Sequence, residues 1–217
     1  MDRAQIDRAV VYHSWGKEND PVTGNTKLME IVSGNPRFLP SWVILPPATN
    51  EMDPLETLIG DVLESGVATV RLFPNHHSYS LSEWCSGSLL GALESHRIPV
   101  MIDLSETSFE ALQGVCENHP RLPVILSDVS YRTDRNIYPL LKRYTNLRIE
   151  TSFYQVHRGI ESVSREFGAS RLIFGSGHPD LQCGPMAMTI RYAKIPDSDK
   201  KAILGGNLER LTEGIRR

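Results

Sequence analysis

Seven short, apolar, β-rich runs punctuate this chain: RAVVYH at 8–13, RFLPSWVIL at 37–45, VATVRLF at 67–73, PVMIDL at 99–104, PVILSDV at 123–129, LRIETSF at 147–153 and RLIFGS at 171–176. None alternates strictly between apolar and polar residues, which is the pattern of strands covered on both faces. Helical segments stand between most of them. Asp53-Pro54 opens one, with Leu55, Leu58, Ile59, Val62 and Leu63 at helical spacing and Gly66 as its stop. Others are expected at 81–96, 108–118, 135–144 and 158–167, and two more follow the last strand at 186–194 and 197–213. Strand and helix in alternation predict βαβ units and a parallel sheet. Such a sheet either closes as a barrel or stays open and doubly wound. No GxGxxG follows the first strand and no GxxxxGK[ST] occurs, so neither nucleotide fingerprint supports the open form. Residues 1–10 read as an amphipathic helical start. Residues 13–25, HSWGKENDPVTGN, read as a long irregular loop of the kind that serves as a lid, with Trp15 placed to cover a pocket.

With 217 residues, 40% of them hydrophobic, the chain can bury one sizeable core, and a single domain over 1–217 is expected. A net charge of -3 without a basic run longer than two residues argues against nucleic acid and anionic membrane as partners, leaving a small-molecule substrate or another protein. No apolar run reaches the roughly 18 residues of a membrane span, and the N-terminus lacks the apolar stretch of a signal peptide, so the chain reads as cytoplasmic. Cys85, Cys116 and Cys183 are odd in number and widely spaced, which indicates reduced thiols rather than a disulfide framework or zinc knuckle.

In parallel α/β folds the ligand site lies on the loops leaving the carboxyl ends of the strands. Those ends carry a dense polar set here. The candidates are His13, Arg71 with His76 and His77 beyond it, Asp103 followed by Glu106, Asp128 followed by Arg132, Glu150, and His178 in the turn RLIFGSGHP at 171–179. Asp103, Asp128 and His178 are the candidate catalytic groups, and Arg71, His13, His76, His77, Arg132 and Glu150 the candidate substrate-binding groups. Two imidazoles with two carboxylates are a ligand set for Zn²⁺ or Mn²⁺. Alternatively, Asp103 and Asp128 share a proton as an acid/base pair while Arg71 grips a substrate carboxylate bidentately. No GxSxG occurs, so a serine hydrolase is not indicated.

The ordered segments IDRAVVYH, NPRFLPSWVILPP, GVATVRLFP, RLIFGSGHP and ILGGNLERL, the last containing Asn207, resemble the amidohydrolase-related (amidohydrolase 2) family over almost the whole chain. That resemblance implies a distorted (β/α)8 barrel using a divalent metal, often zinc, to activate water for hydrolysis or to support decarboxylation. It also implies departures. The family's first strand carries an Asp-x-His-x-His motif ahead of the helix that matches MDRAQIDRAV, so the expected fold is a TIM-type (β/α)8 barrel lacking its first strand, a truncated domain with edges open at 8–13 and 171–176. The N-terminal helix or a homodimer would cover those edges. Asp103 and Asp128 stand where the family has histidines, and Gly177 where its turn G-S-D-x-P has the aspartate that acts as general base, so the usual zinc site is not assembled from these positions. The function expected is an amidohydrolase-like hydrolase or decarboxylase acting on a small carboxylated or cyclic substrate. The alternative is an inactive barrel used for binding or assembly.

Overall fold

The computed structural model describes residues 1–217. Seven strands form one sheet in sequential order: β1 (Ala9–Val11), β2 (Phe38–Val43), β3 (Thr69–Leu72), β4 (Val100–Asp103), β5 (Val124–Ser127), β6 (Leu147–Glu150) and β7 (Leu172–Ile173). Every neighbouring pair is parallel. The seven apolar runs are these strands, and the sheet curls into a barrel that lacks one strand, as expected. No helix is long and apolar enough to cross a membrane.

The helices are α1 (Trp15–Glu18), α2 (Pro21–Ser33), α3 (Leu55–Glu64), α4 (Glu83–His96), α5 (Phe109–Asn118), α6 (Asp134–Arg143), α7 (Gly159–Phe167), α8 (Cys183–Tyr192), α9 (Asp197–Lys201) and α10 (Asn207–Glu213). A π-helical turn, Ala202–Gly206, joins the last two. Val70, Leu72, Val100, Ile102, Val124 and Leu126 face the helices with no exposed surface. Burying one such side chain contributes about 1.5–3 kcal/mol. The outer core holds 36 buried residues, whereas the inner, concave face has an apolar cluster of only three, Met101, Ile125 and Ile173. The inside of the curl is therefore largely polar, and a ligand site has room to form there.

Two local expectations are corrected. Most of residues 13–25 is helical rather than irregular, in α1 and the first turn of α2. Asp20 accepts from the Thr23 N–H at 2.6 Å, and Pro21 fills the first helical position of α2. A Cβ on Gly24 would lie 2.2 Å from the Gly16 backbone nitrogen, so these glycines let α1 and α2 cross in contact. Asn25, 6% exposed, then ties α2 to the sheet by bonding both the N–H and the C=O of Val43. The polar composition that suggested a loop serves a cap, a crossing and a buried anchor.

The N-terminus is not a helix beyond the 3-10 turn Asp2–Ala4, which packs on α8, where Arg191 donates to the Ala4 carbonyl at 3.2 Å. The C-terminal segment lines the gap. The Phe174 N–H donates to the Ile203 carbonyl at 2.9 Å. Asn207 donates to the carbonyls of Leu172 (2.7 Å) and Ala169 (2.8 Å), so the edge of β7 is not bare. Glu209 reaches Arg8, next to β1, at 2.7 Å. Leu208 and Leu211 pack on the inner cluster beside Val10. Helix α10 thus spans the opening between β1 and β7.

Candidate functional site

The parity of each strand selects which of its residues enter the curl. Arg71 pairs in register with Met101, and Asp103 with Ser127. Glu150 lies two residues after Arg148, the partner of Ile125, so it shares that face. Tyr12, two residues after Val10, approaches from β1.

These side chains form one polar network near the carboxyl ends of the strands. The Arg71 guanidinium lies over the Tyr12 ring, 4.5 Å from its centroid. Its Nη1 is 3.5 Å from the Asp103 carboxylate. Ser127 donates its hydroxyl to that carboxylate at 2.5 Å. Arg71 Nε is buried and makes no hydrogen bond within the protein. A guanidinium held on an aromatic face, with one edge on a carboxylate and part of the side chain (17%) accessible, is preorganised to take a second acceptor on that accessible part.

Glu150 is the buried carboxyl of the site, 6% exposed. The Ser152 hydroxyl donates to it at 2.6 Å. Burial pushes this carboxyl above the usual carboxylate range; the Ser152 hydrogen bonds and the Arg71 charge pull it down, and the Asp103 charge adds to the rise. Ser152 also lines a cavity of about 530 Å³ between the loops after β6 and β7, together with His157, Ser176, Leu181 and Met186. That volume falls within the roughly 300–1,000 Å³ of small-molecule sites.

A second polar group lies over the mouth. Buried Glu106 accepts from the His76 N–H at 2.8 Å and faces Lys17 at 3.5 Å. His77 Nε2 meets the Lys17 carbonyl at 2.8 Å, and the His76 ring approaches Glu18 at 3.7 Å. The loop after β3 is thereby fastened to α1.

The candidate residues separate accordingly. Arg71, Asp103 and Glu150 come together inside the curl. His76 and His77 serve the contact with α1, and His13 accepts the Trp15 N–H on Nδ1 at 3.2 Å. Asp128 is exposed in a left-handed turn, φ 58°, and no hydrogen bond joins it to Asp103. The proposed acid/base pair of these two aspartates is therefore corrected: the strand ends at Ser127, and the backbone reversal at Asp128 carries its side chain to the surface. Arg132 is likewise exposed and bonds Tyr131 rather than a pocket group. His178 is exposed beside a cis peptide bond to Pro179, its N–H on the Ser176 hydroxyl at 3.3 Å. Tyr12, Ser127 and Ser152 were not singled out in the sequence. Alternation from Val10, Ile125 and Glu150 would have placed them on the inner face.

No three His, Cys, Asp or Glu side chains converge as a metal-binding group. Asp103 is engaged by Ser127 and Arg71, and His77 by a carbonyl. These residues do not fit the divalent metal that the resemblance implies.

A family model described as Amidohydrolase matches residues 3–211. No curated protein matches the sequence. Among solved structures, an uncharacterized TIM-barrel protein from Bordetella bronchiseptica superposes with TM-score 0.81 at 21% identity, over 100% of this chain and 81% of that one. The 5-carboxyvanillate decarboxylase of Sphingomonas paucimobilis gives 0.75 at 16% identity, over 98% and 81%. The 2,6-dihydroxybenzoate decarboxylase from Rhizobium gives 0.69 at 17% identity, over 98% and 86%. At these identities the likeness is one of fold.

Proposed function

The chain belongs to the amidohydrolase family, and from that premise we propose that it is an enzyme acting on a small carboxylated ring compound, by decarboxylation or by hydrolysis. The observation that carries this reading is the Arg71 guanidinium, stacked on Tyr12 and braced by Asp103, with part of its side chain still accessible inside the curl. It offers a substrate carboxylate a charged, directional partner in a site of reduced dielectric. The two decarboxylases of similar fold act on aromatic carboxylates, as their names state, which favours this class over a barrel used only for binding or assembly.

Each inner side chain has a role in such a reaction. Arg71 anchors and orients the carboxylate. Asp103, held by Ser127, fixes the guanidinium and takes a hydrogen bond from a ring hydroxyl. Glu150, displaced upward by burial, keeps its proton to higher pH than a solvated glutamate and serves as the acid. In decarboxylation the carbon–carbon bond breaks, CO₂ leaves, and the electron pair left on the ring carbon takes the Glu150 proton. Solvent then reprotonates the carboxylate. In hydrolysis the same proton goes to the leaving group while water adds its hydroxyl to the other side of the scissile bond and returns its remaining proton to the Glu150 carboxylate.

A panel of hydroxylated benzoates and cyclic amides, followed by CO₂ release, chromatography and calorimetric binding, tests the reading. At least one compound is expected to bind and turn over, with both lost in Arg71→Ala. Absence of binding across the panel, or an Arg71→Ala protein that behaves as wild type, would overturn it.

A further inference from the structure

The end of the half-barrel opposite the site carries a concentration of positive charge that the proposed reaction does not use. A cavity of about 270 Å³ opens there, lined by Arg97, Arg121, Arg148 and Arg210 together with Thr145 and Asn146, and by no aspartate or glutamate. Its residues belong to the amino-terminal side of the sheet. Arg97 ends α4 ahead of β4, Arg121 precedes β5, and Asn146 precedes β6.

These arginines are poorly neutralised. Arg121 pairs with Glu94 at 3.5 Å. The others have no carboxylate: Arg148 bonds the Asn146 carbonyl at 3.2 Å and Arg210 the Asn207 side chain, while the Arg97 guanidinium has no hydrogen-bond or ion-pair partner. Behind the cavity, buried Arg171 donates to the carbonyls of Leu141 and Tyr144 and meets no carboxylate either. The charges are felt mutually. Burial, and then the charge of Arg210, lowers the Arg148 pKa below the usual guanidinium range; burial, and then the charge of Arg148, brings Arg171 to about 10. The chain carries 26 acidic residues, yet only Glu94, on Arg121, offers a carboxylate to any of the arginines that line this cavity. Like charges held together in partial burial destabilise a fold unless an anion joins them.

We propose that the amino-terminal end of the half-barrel is an anion-binding site, built on Arg97, Arg148 and Arg210, that takes a doubly charged oxyanion: free phosphate or the phosphate group of a small phosphomonoester. Guanidinium forks match the oxygens of a tetrahedral oxyanion, and the cavity holds such a group with a short organic tail. The site is separate from the carboxylate-binding network and independent of the reaction assigned to it.

Thermal unfolding and titration calorimetry with inorganic phosphate, against sodium chloride at equal ionic strength, test this. Phosphate is expected to raise the Tm saturably, and Arg97→Gln to weaken its binding about tenfold. Arg148→Met is expected to raise the Tm in phosphate-free buffer, because repulsion is relieved, and to abolish the phosphate response. A merely structural Arg148 would give the opposite sign. Should Arg148→Met fail to fold, Arg97→Gln, at an exposed position, carries the test alone. Glycerol phosphate, if it binds more tightly than inorganic phosphate, assigns the site to phosphomonoesters; equal or weaker binding assigns it to phosphate itself. A phosphate effect no larger than that of chloride, or full phosphate affinity in Arg97→Gln, would overturn the proposal.

Discussion

The Glu150 carboxylate occupies the space that a side chain at Gly175 would fill: a Cβ there would lie 0.9 Å from Oε1 and 2.0 Å from Cδ. Gly175 therefore permits the buried acid of the site, and Gly175→Ala forces Glu150 out. The expected cost is about 1–3 kcal/mol in urea unfolding, with loss of turnover. Adding Glu150→Ala to Gly175→Ala should recover part of that stability. If the two substitutions cost strictly additive amounts, the contact does not couple them.

Arg71 is predicted to be irreplaceable by lysine. The guanidinium must lie flat on Tyr12 while keeping Asp103 on one edge, and an ammonium supplies neither the plane nor the fork. Arg71→Lys and Arg71→Ala should both weaken binding of a carboxylated ligand, each by about 100-fold. Calorimetric affinities measure this, and rescue by lysine would reduce Arg71 to a point charge.

Glu150 makes stability fall with rising pH. Its folded-state pKa lies above that of the unfolded chain because burial disfavours the charged form. Below the unfolded value, about 4.3, the carboxyl is protonated in both states and costs nothing. As pH rises, the unfolded chain releases its proton first, so stability drops until pH has passed the folded pKa and then levels. Glu150→Gln removes that drop. Melting curves across this range should therefore show the variant gaining on wild type as pH increases, and parallel curves would disprove the assignment.

Asn207 is predicted to hold the C-terminal segment against the last strand. Its amide donates to two carbonyls and is 3% exposed. Asn207→Leu leaves both without a donor and should cost about 2–4 kcal/mol, two unsatisfied buried groups. Hydrogen exchange at Phe174, whose N–H bonds Ile203, should rise with it.

The sheet was legible residue by residue because strands covered on both faces need continuous apolar runs, and each of the seven runs contains its strand. The segment at 13–25 was misread because the residues that cap a helix and permit a close crossing are also those of loops; only Val43, eighteen residues beyond Asn25, tells the two apart. The site was half legible. Arg71, Asp103 and Glu150 stand out as charges within apolar runs, whereas Ser127 and Ser152 look like ordinary strand-end serines until their carboxylate partners are in view. Asp128 shows the reverse error, since one left-handed residue moved a strand-end carboxylate to the surface.

By itself the sequence determined the parallel strands, because these follow from local periodicity, and its ordered motifs, by their resemblance to a family, implied the curled barrel. The tertiary structure alone decided which charges meet. The register that sets Asp103 beside Ser127, the glycine that admits Glu150, the helix α10 that fills the open side and the arginines gathered at the far end all join residues distant in the chain. Their energies depend on burial and separation, and neither exists until the sheet has curled.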